Sequence, residues 1–99
     1  MARFDVYAER EGGGLVLDCQ ADLLSVLETR FVVPLMPLAG VRPPFPRLNP
    51  VFTVGGRDLV MVTQGAASIG TRSLGPVVAS LAKEQPAIMN ALDMLMIGF

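Results

Sequence analysis

The chain of 99 residues contains no histidine, no tryptophan and a single cysteine, and each shortage closes off a class of chemistry. Without histidine, the commonest general base near neutral pH and the commonest metal ligand are both missing. Cys19 alone forms neither an internal disulfide nor a thiolate cluster for a metal. Set in Leu15-Val16-Leu17-Asp18-Cys19, it reads as a small packed hydrophobe. Gly12-Gly13-Gly14 is followed by no helix and no lysine, so it is a hairpin tip and not a phosphate loop. Charge is also scarce: eight basic and nine acidic residues leave a net charge of −1 and no basic field for nucleic acid. Asp18 and Asp22 are expected as solvated or capping carboxylates, because strand and turn geometry does not hold them as a working pair. Ser68 and Ser73 have no evident activating base. No catalytic, cofactor-binding or metal-binding residue emerges, and the chain looks like a binder. Its longest apolar stretch, Ala87 to Phe99, is too short to span a bilayer and contains Asn90 and Asp93. Met1-Ala2-Arg3-Phe4-Asp5 holds no apolar leader core, so a cytoplasmic location with no membrane partner is expected.

What is abundant is apolar surface. Hydrophobic residues make up 52% of the chain, more than one small domain spanning residues 1–99 hides by itself, since a domain of this size buries roughly 60–65% of its unfolded surface. A homodimer or an obligate partner is expected. The last segment, Ala91-Leu92-Asp93-Met94-Leu95-Met96-Ile97-Gly98-Phe99, concentrates the excess. At about 100° per residue, Ile88, Ala91, Leu92, Leu95 and Met96 form a core-facing stripe, and Asn90, Asp93, Met94 and Ile97 face the other way. Met94 and Ile97 thus place apolar side chains on the polar side of the final turns, as at a partner-binding tip.

The preceding segments alternate as strands do. Phe4, Val6 and Ala8 share one face of Arg3–Ala8, and Leu15, Leu17 and Cys19 share one face of the next segment, across the glycine-rich tip. Arg30–Leu35 reads as a third strand, stopped near its end by Pro34. Pro37, Pro43, Pro44, Pro46 and Pro50 exclude regular structure from a long loop whose charges are Arg42 and Arg47. Val51–Val54 and Asp58–Val62 pair across Gly55-Gly56. Gly65 to Thr71 reads as turn, Arg72-Ser73-Leu74 as a short strand, and a helix starts near Glu84 with Pro86 in its first turn. Short antiparallel strands followed by one terminal helix imply a mainly β domain, a small barrel-like sheet with the helix packed against it.

The ordered set Arg3-Phe4-Asp5-Val6-Tyr7, Leu17 to Leu24, Arg30 to Leu35, Asn49 to Gly55, Met61 to Gln64, Ala67-Ser68-Ile69 and Asn90 to Phe99 resembles the CcdB toxins of type II toxin–antitoxin modules. The resemblance runs through essentially the whole chain, diverging at the glycine-rich tip and around Pro43–Pro46. It implies an SH3-like barrel with a small additional sheet and a C-terminal helix, in the manner of CcdB and MazF. It also implies a homodimer without enzymatic activity that binds the gyrase A component of DNA gyrase and traps the cleaved-DNA intermediate. A CcdA-like antitoxin folds on such a toxin and releases gyrase. The pair represses its own operon, with the antitoxin making the DNA contacts, and such modules serve plasmid maintenance.

In that family the last three residues carry the poisoning, and they correspond to Ile97, Gly98 and Phe99 here. The family tryptophan is replaced by Ile97, which removes a π face for stacking on an arginine of gyrase, a contact of roughly 0.5–2 kcal/mol. Asp93 stands at the position of a family asparagine, Met94 flanks it, and Leu23 and Leu24 stand where the family has an isoleucine pair near gyrase. Leu95 and Met96 are expected in the core or the dimer interface. Two alternatives stay open: a degenerate relative that binds antitoxin but not gyrase, and a MazF/Kid-like endoribonuclease drawing on Arg30, Arg42, Arg47, Arg72, Asp18 and Asp22.

Overall fold

The computed structural model describes residues 2–41 and 44–99; Arg42 and Pro43 of the expected loop lie outside them. The described residues form seven strands, β1 (Asp5–Glu9), β2 (Leu15–Asp18), β3 (Thr29–Pro37), β4 (Val51–Val54), β5 (Arg57–Met61), β6 (Ala67–Gly70) and β7 (Leu74–Ser80), followed by one helix, α1 (Gln85–Ile97). All seven strands join one half-barrel sheet in the order β4-β5-β3-β2-β1-β7, and β6 branches from β3. Every pairing is antiparallel. The mainly β fold with one C-terminal helix is the architecture expected from the strand pattern.

β3 organises the sheet. Its residues 29–32 pair with β6 and its residues 35–37 with β5, while β2 lies along its other side. Pro34, expected to stop this strand, instead lies inside it. Its carbonyl accepts the Val62 N–H, so its nitrogen faces the gap between β6 and β5, where no ladder bond is needed. Gly65 to Thr71 is not all turn: β6 takes four of those residues. Arg72-Ser73-Leu74 is not a strand either, because Thr71–Ser73 forms a 3₁₀ turn and Leu74 opens β7. The paired glycines behave as expected, with Gly55 at φ +59° and Gly56 at φ +79° between β4 and β5.

Alternation distributes the side chains onto two faces. Val6, Leu17, Val33, Leu35, Phe52, Val54, Leu59 and Met61 form the main core, closed by Ile88 and Ala91 of α1. Cys19 packs there as a buried hydrophobe, and burial, with the nearby Asp18 carboxylate adding to it, pushes its thiol up to about 12. Tyr7, Val16, Val32 and Leu74 form a second, smaller cluster. Asp18 and Arg30 are fully buried, with Arg30 Nη2 2.6 Å from Asp18 Oδ2. Arg30 Nε donates to the same oxygen at 2.9 Å, and the Gln20 N–H donates to Asp18 Oδ1 at 3.1 Å. The expectation of a solvated Asp18 is therefore wrong. The β2–β3 register sets it opposite Val32, within reach of Arg30. Asp22 does remain exposed, capping the Arg3 N–H at 2.8 Å.

Candidate partner-binding site

Helix α1 changes character along its length. Pro86 sits in the first turn, where its missing N–H has no intrahelical partner. Ile88 and Ala91 are fully buried, and Ala87, Met89 and Leu92 are partly buried against the same core. Beyond Leu92 the core ends. Leu95 is exposed, and Met96, Ile97 and Phe99 are 74%, 58% and 76% exposed. Leu95 and Met96, expected in the core or a dimer interface, are thus excluded from the core of this chain. Their place on the wheel continues the buried stripe, but they lie beyond Leu92, the last helix residue packed against the core. Asp93 is exposed and Met94 half-buried.

Gly98 ends the helix in the left-handed region at φ +80°, and its N–H bonds to the Met94 carbonyl at 3.1 Å. That cap turns the chain off the helix axis before Phe99. Leu23 and Leu24 lie on a 3₁₀ turn at Asp22–Leu24; Leu23 is 89% exposed and Leu24 is exposed as well. Arg3 ties this turn to the helix, a role the sequence reading missed. Its N–H holds the Asp22 carboxylate, its Nε donates to the Cys19 carbonyl at 3.1 Å, and its Nη2 reaches Met89 Sδ at 3.4 Å. Two unpartnered apolar patches therefore hang on one short, well-fixed frame.

Of the described residues set aside for chemistry, Arg72 and Ser73 come together and the others do not join them. Asp18 and Arg30 are consumed by their buried pair. Ser73 and Arg72 instead line a surface pocket of about 370 Å³ with Glu9, Arg10 and Glu11. Ser68 is on β6, exposed and paired in register with Phe31. Among the described residues, no group of three acidic or cysteine side chains is placed to hold a metal. No helix among the described residues is long and apolar enough to cross a membrane.

The sequence model of one family, described as CcdB protein, matches residues 3–98. The chain belongs to the CcdB family. Solved structures similar in fold include the Mycobacterium tuberculosis toxin MazF-mt6, which is 18% identical over 90% of this chain and 92% of that one, with a TM-score of 0.73. No curated protein sequence matches the chain. Membership of the CcdB family makes the chain a toxin of the toxin–antitoxin kind. The half-barrel with its terminal helix is the fold shared with MazF-mt6.

Proposed function

We propose that the chain is a non-enzymatic, homodimeric poison of DNA gyrase acting in the cytoplasm. The tip Ile97-Gly98-Phe99, backed by Asp93 and Met94 and joined by Leu23 and Leu24, docks on gyrase A and holds the cleaved-DNA complex. A CcdA-like antitoxin covers the same toxin and releases gyrase, and DNA is met only through gyrase or the antitoxin. The observation that carries this reading is the split in α1: a buried first half anchored by Ile88 and Ala91, and a last turn whose large apolar side chains have no cover. A tip built this way contributes little to its own fold, and such exposed apolar clusters are kept for partners.

Calorimetric titration into the gyrase A dimerisation domain of the same host tests the assignment. Binding that vanishes on deletion of Ile97-Gly98-Phe99 is the expected result. No heat at micromolar concentrations from a folded protein overturns it and leaves a relative that binds only antitoxin. One observation favours a second reading, a MazF-like endoribonuclease. Arg10, Arg72, Glu9, Glu11 and Ser73 share one pocket, which places positive charge beside carboxylates, as RNA binding and acid–base cleavage require. Cleavage of RNA in the absence of gyrase, lost in Arg72→Ala, would decide for it.

A further inference from the structure

We infer that Arg47 is a specificity-determining residue of the partner surface: it extends the helix tip with a fixed cation that takes a carboxylate on gyrase. The inference rests on the gyrase reading above and adds to it a charge pattern. Arg47 Nη2 donates to Asn90 Oδ1 at 2.7 Å, across 43 positions of sequence. Asn90 lies on the same helix stripe as Asp93, Met94 and Ile97, at intervals of three, four and seven residues. The guanidinium is thus fastened at the base of the stripe that leads to the tip, and Asp93 follows Asn90 by about 4.5 Å along the helix axis at 1.5 Å per residue.

The placement is built, not incidental. Arg47 has φ +67°, a left-handed conformation that side chains other than glycine adopt at a cost. The turn that enforces it is clamped by Asn49, which is buried. Asn49 Oδ1 accepts the Phe45 N–H at 3.0 Å, and its Nδ2 donates to the Met61 carbonyl at 3.1 Å and to Gln64 Oε1 at 2.7 Å. Thr63 Oγ1 donates to the Leu48 carbonyl from the other side. Both Arg47 and Asp93 are exposed, and the one ion pair among the described residues is Asp18–Arg30. The stripe therefore offers, in order, a cation, an anion and an apolar end, with neither charge held in an ion pair among the described residues. A gyrase surface that fits it presents an acidic side chain toward Arg47, a basic one toward Asp93 and an apolar pocket for Phe99.

Titration of the full chain and its variants into the gyrase A dimerisation domain, at low and at near-physiological salt, tests this. Arg47→Gly removes the cation while suiting φ +67°, so its melting temperature should be unchanged or higher. Its affinity should fall on the order of tenfold, with a shallower salt dependence, and Arg47→Glu should lose on the order of a hundredfold. Arg47→Lys should recover most of the affinity. An Arg47→Gly variant that keeps wild-type affinity and salt dependence, while deletion of residues 97–99 abolishes binding, overturns this inference and leaves the gyrase reading standing. Wild-type protein that gives no heat overturns both.

Discussion

The two buried charges stand out among individual residues. Asp18 and Arg30 share two hydrogen bonds inside the sheet. Removing one member of a buried pair leaves the other desolvated and unmatched, at a cost of about 3–5 kcal/mol. Asp18→Ala should therefore lower unfolding free energy in urea by that amount, whereas replacing both members with apolar residues of similar volume should recover most of it. Cys19 gives a pH prediction. Its thiol is pushed from an ordinary value near 9 up to about 12 by burial first and by Asp18 second. Between those values the unfolded chain gives up the proton and the native one keeps it, so stability is full below about 9 and is lost as pH rises toward 12. The Tyr7 phenol, raised chiefly by burial and further by Asp5 and Asp18, works in the same direction. Denaturant midpoints measured from about pH 8 to 11 should fall, and Cys19→Ala should flatten the slope.

Among the elements, α1 and the last strands are the instructive pair. Ile88→Ala should cost about 2–5 kcal/mol by emptying a fully packed site, while Ile97→Ala should shift the thermal midpoint hardly at all. A second prediction concerns β7. A Cβ on Gly75 would stand 2.7 Å from the Ala8 carbonyl oxygen on the neighbouring strand. Gly75→Ala should therefore destabilise the β1–β7 edge and speed amide exchange there. The hairpins and the helix were legible because alternation, paired glycines and Pro86 each act locally. β6 was not, since Ala67, Ser68 and Gly70 carry no strand pattern and are held by pairing with β3. β7 was hidden by Gly75 and Pro76, which fall where its register against β1 is broken by bulges, on an edge strand that tolerates a proline. Of the exposed last turn, periodicity set Ile97 off the core stripe but wrongly continued that stripe through Leu95 and Met96. The fastenings through Arg3 and Arg47 were not legible, because they join segments 86 and 43 positions apart.

For the molecule as a whole, the excess of apolar residues is left on the outside, at Leu23, Val26, Met36, Phe45, Val77, Met96 and Phe99 among others. A 10.5 kDa chain with this surface is expected to sediment as a dimer of about twice that mass. The divided helix has one further consequence, for how such a gene changes over time. Because the tip holds up nothing, a single nucleotide change at Ile97, Gly98 or Phe99 would, on the gyrase reading proposed above, disarm the protein without unfolding it. A cell under pressure from this toxin would be rescued first by alleles of that kind. They would persist as stable, harmless copies that still occupy antitoxin and so heighten the effect of any active copy beside them.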